Sequence, residues 1–245
     1  MSNLWNGLSE DARAQLETRS YARAPLAERL GTSGVEAREI ASPDGAPDGL
    51  DNVWIPGVIV FPRTVYPQPC RGFFGEFARA TEGPLRRIGL WPRQWAAARM
   101  FAGSAKGFHI HPPHIPESTA PESWFRQLYG AAPFRCEDRP YDREQWDVMF
   151  FLQGIAEMIL VDERPGLERR VMRFLIWGDD LPSASNVGVV IPAGVAHAIR
   201  SASSTDLLMV YGTSTTFVPA SEGRIASSVE SAPLPGPWQD YLDRR

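Results

Sequence analysis

Histidine is nearly missing from this chain, with four among 245 residues, and cysteine is scarcer still at two. Cys70 and Cys136 stand far apart with no CxxC spacing, which excludes a disulfide framework and a thiolate metal site and leaves two buried or incidental thiols. No apolar run is long enough to cross a bilayer, and the opening MSNLWNGLSEDARAQLE lacks the basic and then apolar stretch of a signal peptide. The expectation is a soluble, cytoplasmic protein with no membrane partner. Charge of one sign is lacking too: 25 Lys plus Arg against 29 Asp plus Glu give a net charge of -4. That balance offers no basic footprint for nucleic acid, while leaving room for a compact anionic ligand held by a few local arginines.

What is present suits one large domain with an added segment. Residues 1–50 read as a helical extension and linker. Ser9 caps EDARAQLETRSYAR, Pro25 opens a second short helix, and SPDGAPDGLD has the Pro, Asp and Gly of a solvated connection. From Val53 short β-rich runs follow one another: VWIPGVIVF, RGFFGEF, GFHIH, DVMFFL, AEMILVD, RRVMRFLIW, VGVVIP and DLLMVYG, each bounded by turn residues. Many short strands without interleaved long helices predict an antiparallel sandwich or barrel over 51–230, followed by a tail at 231–245. The stretch 112–145 interrupts the rhythm. It contains PESWFRQLYG, a short helix from Pro121 to Gly130 whose Trp124, Phe125, Leu128 and Tyr129 form a stripe that either packs on the barrel or serves as a lid.

Three of the four histidines lie in KGFHIHPPHIPE: His109, His111 and His114. Alternate residues of a strand share a face, so His109 and His111 project together and can share a metal ion. The fourth, His197, follows the Pro192–Gly194 turn in IPAGVAHAI. HxH on one strand and PxGxxH on a later one resemble the two signature motifs of the cupin superfamily, a double-stranded β-helix or jelly roll in which the two face each other.

The flanks extend the resemblance. CRGFFGEF, WPRQWAAARMFAGSAKGFHIHPP, FLQGIAEMILVDER, SNVGVVIPAGVAH and LLMVYGTSTTFVPASEGRI are similar, in order, to the blocks of the dTDP-4-dehydrorhamnose 3,5-epimerase family, from about Ile55 to Ile225. The resemblance implies an all-β cupin jelly roll and proton abstraction at C3 and C5 of a 4-keto sugar nucleotide. It implies His109 as base, Arg71, Gln94, Lys106 and His197 as substrate-binding groups, and Asp162 as the acid that orients an imidazole. It also implies a homodimer and no cofactor.

The chain departs from that pattern at four places. The tyrosine of YxP is Phe217, leaving Tyr211 as the nearest acid; the lysine before the LVRVLQG block is Asp147; the late acidic partner of the base is missing; and the glutamine after the base is His111. That last exchange restores HxH. An alternative reading is therefore a metal-dependent cupin enzyme holding divalent Fe, Mn, Ni or Zn on His109, His111 and His197, with His114 or Glu117 as a further ligand. A third is a cupin that binds a small molecule without catalysis.

Overall fold

The computed structural model describes residues 54–87, 89–111, 134–135, 145–164, 167–183, 186–217, 223–228 and 241–242. The expected N-terminal helices, nearly all of the 112–145 insertion, including His114, Glu117 and Tyr129, and most of the tail lie outside these residues. Among the described residues Pro84–Arg87 forms an α-helical turn, α1, and no helix is long and apolar enough to cross a membrane.

The strands are β1 (Ile59–Pro62), β2 (Val65–Gln68), β3 (Gly72–Gly75), β4 (Gln94–Met100), β5 (Ala105–Ile110), β6 (Phe134–Arg135), β7 (Asp147–Gln153), β8 (Ile155–Asp162), β9 (Val171–Trp177), β10 (Val187–Ile191), β11 (Val195–Ser201), β12 (Leu207–Thr213) and β13 (Gly223–Ser228). One antiparallel sheet runs β1-β10-β7-β12-β4 and a second runs β6-β13-β5-β11-β8-β9, while β2 and β3 form a separate hairpin. The expected all-β jelly roll is what these residues build.

Alternation decides which face of each strand is inside. On β7, Met149 and Phe151 point between the sheets and meet Met158 and Leu160 of β8, Phe174 of β9, Val189 of β10 and Met209 of β12. Val148 and Phe150 of the same strand point the other way, onto Ile59, Phe61 and Val190, under Leu85 and Leu90 from the α1 segment. Both faces of β7 are therefore apolar, which is why DVMFFL reads as a continuous hydrophobic run rather than as an alternating one.

The eight apolar runs and the strand carrying His197 all appear as strands. The remaining strands, β2, β4, β6 and β13, are not among those runs. β2 (VYPQ) carries a proline and pairs with β3 at the surface, and β13 (GRIASS) is held by pairing with β5 rather than by its composition. Cys70, in the turn after β2, is exposed with φ of 62°.

Candidate active site

Five strands converge on a cavity of about 310 Å³ between the sheets. The six-stranded sheet contributes Lys106 and His109 from β5, and His197 and Ile199 from β11, with His111 just past the end of β5. The five-stranded sheet contributes Gln94 from β4, Asp147 and Met149 from β7, and Met209, Tyr211 and Thr213 from β12, with Gln145 and Phe217 at the edge.

Two local features bring the histidine motifs together. Gly107 lets β5 approach β11: a Cβ there would lie 2.7 Å from Ala198 Cα and 2.8 Å from the His197 carbonyl oxygen, and its φ of +136° is one that L side chains rarely adopt. At the far end, Gly194 at φ +81° closes the turn before β11, and its N–H donates to the carbonyl of His111 over 2.6 Å. His197 thus becomes the register partner of His109, with the two rings 5.8 Å apart and close to parallel, while the His111 ring is 5.6 Å from that of His197.

The acid that meets these imidazoles is Asp147, at the head of β7, across the cavity from β11. Its Oδ2 lies 3.1 Å from Nε2 of His111 and 3.5 Å from Nε2 of His197. Gln145 fastens it: the amide Nε2 donates to Asp147 Oδ1 over 2.9 Å and lies 3.1 Å from His111 Nε2, while Gln145 Oε1 accepts from the Thr215 hydroxyl at 2.5 Å. An amide oxygen cannot donate, so the Thr215 and Asp147 contacts together fix which way this amide points. Asp147 and His197 are buried and His111 nearly so.

Burial pulls the two ends of this group in opposite directions. For Asp147 it would raise the carboxyl pKa, but the facing His111 and His197 and the Gln145 amide outweigh it and hold the group at about 2. For His197 burial dominates over the attraction of Asp147 and pushes the imidazole down to about 3. At neutral pH the pair is a carboxylate facing a neutral imidazole.

His109, Lys106, Gln94, Tyr211 and His197 are therefore gathered in one chamber, where Lys106 is the one cation among the described lining residues. Gln94 Oε1 accepts the Phe217 backbone N–H over 2.7 Å. Arg71 lies outside the chamber, exposed in the turn between β2 and β3. Asp162 ends β8 with its carboxylate taken in bidentate fashion by Arg164, at 2.8 and 2.7 Å, and Arg164 in turn reaches the carbonyl of Pro56. Among the described residues the acid that contacts imidazole is Asp147. Sequence reasoning registered that residue only as a charge reversal and missed Gln145 entirely. The available signal was an acidic residue at the head of a strand whose remaining interior residues are apolar.

Comparison with known proteins agrees with this architecture. The chain is 26% identical over 150 residues to the spore coat polysaccharide biosynthesis protein SpsL of Bacillus subtilis, covering 61% of this chain and 74% of that one. A dTDP sugar isomerase from Desulfovibrio desulfuricans superposes with a TM-score of 0.51 at 12% identity, over 77% of this chain and 93% of that chain. A dTDP-6-deoxy-D-glucose-3,5-epimerase from Legionella pneumophila, solved with dTDP-4-keto-L-rhamnose, gives a TM-score of 0.48 at 20% identity, over 70% and 73% of the two chains. No family model matches. At 12% identity the likeness to the isomerase is one of fold.

Proposed function

We propose that this protein is an isomerase of the sugar-nucleotide 3,5-epimerase type, acting on a 4-keto sugar nucleotide or a related carbonyl compound by removing a proton next to the carbonyl. The observation that carries this reading is that a candidate base, His109 on β5, and a candidate acid, Tyr211 on β12, line one cavity from opposite sheets. Inverting a carbon centre requires the proton to leave from one face and return to the other, and two facing walls supply that geometry.

In this reading a ring nitrogen of His109 takes the proton from the carbon beside the ketone. The C–H electron pair moves into the carbonyl and leaves an enolate, and the Tyr211 hydroxyl returns a proton to the opposite face. Proton exchange with water restores the protonated tyrosine and the neutral imidazole, so the cycle is redox-neutral. Lys106 supplies positive charge within the chamber, and the apolar wall of Met149, Ile199 and Met209 excludes water from the enolate. A cavity of about 310 Å³ suits the sugar ring. A homodimer, a cytoplasmic location and a nucleotide-sugar ligand belong to the same reading, and SpsL, a polysaccharide biosynthesis protein by name, is in keeping with it.

The test is solvent deuterium incorporation at C3 and C5 of a dTDP-4-keto-6-deoxy sugar, followed by proton NMR. The purified chain is expected to catalyse exchange, with His109→Gln reducing it by about 10²-fold or more. Failure of the unmodified protein to exchange either position overturns the proposal.

A further inference from the structure

The structure points to a site for one divalent transition-metal ion on His111, Asp147 and His197, with His109 outside the ligand set. We infer that this ion, in the isomerase reading above, is the positive charge that faces the carbonyl oxygen. The site differs from the three-histidine face expected of the sequence, because a carboxylate from the opposite sheet takes the place of His109.

The first observation is geometric. One donor atom from each of His111, Asp147 and His197 lies within 4.8 Å of the others, and His109 is not in that group. Asp147 Oδ2 stands 3.1 and 3.5 Å from the two Nε2 atoms. Ligands bound to one ion at about 2.0–2.2 Å lie about 2.8–3.1 Å apart at right angles and about 3.3–3.6 Å apart at the tetrahedral angle, so both separations are those of neighbouring vertices of a coordination sphere.

The second observation is how the carboxylate is held. Gln145, whose Oε1 accepts from Thr215, donates from Nε2 to Asp147 Oδ1 over 2.9 Å and leaves Oδ2 facing the two imidazole Nε2 atoms. An amide that fixes a carboxylate in this way is the support a metal ligand receives from outside the ligand shell. Two imidazoles and one carboxylate select a first-row transition ion over Mg²⁺ or Ca²⁺ and leave open positions for a substrate oxygen.

The placement of His109 matters to function. An imidazole that ligates a metal cannot also act as the base, and here the ligands are the other three groups. When bound, the ion would supply electrostatic stabilisation of the enolate oxygen, at the position where Asp147 reverses the charge of the epimerases' lysine.

The test uses the full chain, purified without a histidine tag and dialysed against chelator, then titrated with Co²⁺ alone and followed by calorimetry and visible absorption. One equivalent is expected to bind the parent protein and His109→Gln with affinities within about threefold of each other. His111→Gln and Asp147→Asn should each weaken binding at least 100-fold while keeping the parent's far-ultraviolet circular dichroism. Absence of stoichiometric binding to the parent protein overturns the inference, as does a loss in His109→Gln equal to that in His111→Gln. Should Asp147→Asn fail to fold, the contrast between His111→Gln and His109→Gln decides alone. Deuterium exchange by the chelator-treated protein separates the two proposals: undiminished exchange without metal removes the metal from the reaction and leaves the isomerase standing, whereas one bound equivalent with no exchange under any loading does the reverse.

Discussion

His197 lies directly across from His109 in the antiparallel pairing of β11 with β5, and their rings stack 5.8 Å apart. The pairing depends on Gly107, where any Cβ would be driven into Ala198 and the His197 carbonyl. Gly107→Ala is expected to destabilise the fold by about 1–3 kcal/mol from backbone strain alone. It should also pull β5 away from β11, so that activity falls further than stability. Urea unfolding measures the first, and turnover at a temperature where the variant is still folded measures the second. Unchanged activity in a destabilised variant would separate the pairing from the chemistry.

A second polar group is buried on the outer face of the six-stranded sheet. Glu157 of β8 receives Arg200 Nε over 2.7 Å and also pairs with Arg173 of the neighbouring β9, and all three side chains are buried. Removing one partner of such a group leaves an uncompensated buried charge, here two guanidinium groups sharing no carboxylate. Glu157→Gln should therefore cost about 3–5 kcal/mol, read as a lower urea midpoint at unchanged slope. A loss below 1 kcal/mol would show that the arginines find other partners.

The histidine motifs were legible because their evidence is local. HxH on one strand and PxGxxH before another place side chains by alternation and turn chemistry, and His109, His111, His197, Lys106, Gln94 and Tyr211 all reach the chamber. Asp147 was not legible in that way. Its meeting with His111 depends on β7 lying between β10 and β12 in the opposite sheet, a non-local fact that no spacing in QWDVMFF carries. Asp162 shows the converse: the run VDER names an acid beside a strand end, but the same run supplies Arg164 to neutralise it. The strands β6 and β13 were invisible for a related reason, since backbone pairing with β5 and with each other, rather than apolar pattern, defines them.

Acid should act on Glu157 in a predictable direction. Burial alone would raise its pKa, yet Arg173 and Arg200 outweigh that and hold it below the ordinary 4.5. A carboxyl whose folded pKa is depressed contributes stability that is fully present above its unfolded value and is lost as pH falls through the folded one. Stability of the parent protein should be flat with respect to this group above about pH 5 and decline below about pH 4.3, the ordinary range for Glu. Comparing urea midpoints of parent and Glu157→Gln between pH 7 and pH 3 checks this, because the gap between them should narrow on acidification. A gap that stayed constant would assign the acid sensitivity to other carboxylates.

The proton donor in the proposed reaction is open to a rescue experiment. Tyr211 lines the chamber from β12, and Phe217 lines it from the segment after β12, where its backbone N–H is tied to Gln94. The epimerase pattern that the sequence resembles has a tyrosine at the position of Phe217, and Tyr211 and Phe217 line the same cavity. A positioned acid contributes about 10²–10⁴-fold, and Tyr211→Phe should reduce deuterium exchange within that range while leaving the unfolding midpoint almost unchanged. Adding Phe217→Tyr to that variant should recover at least tenfold of the loss, because the new hydroxyl enters the same cavity without displacing buried groups; Phe217 is 56% exposed. Loss without recovery would mean that Phe217 does not face the reacting carbon. No loss in Tyr211→Phe would remove the phenol from the mechanism and pass the proton to water within the chamber.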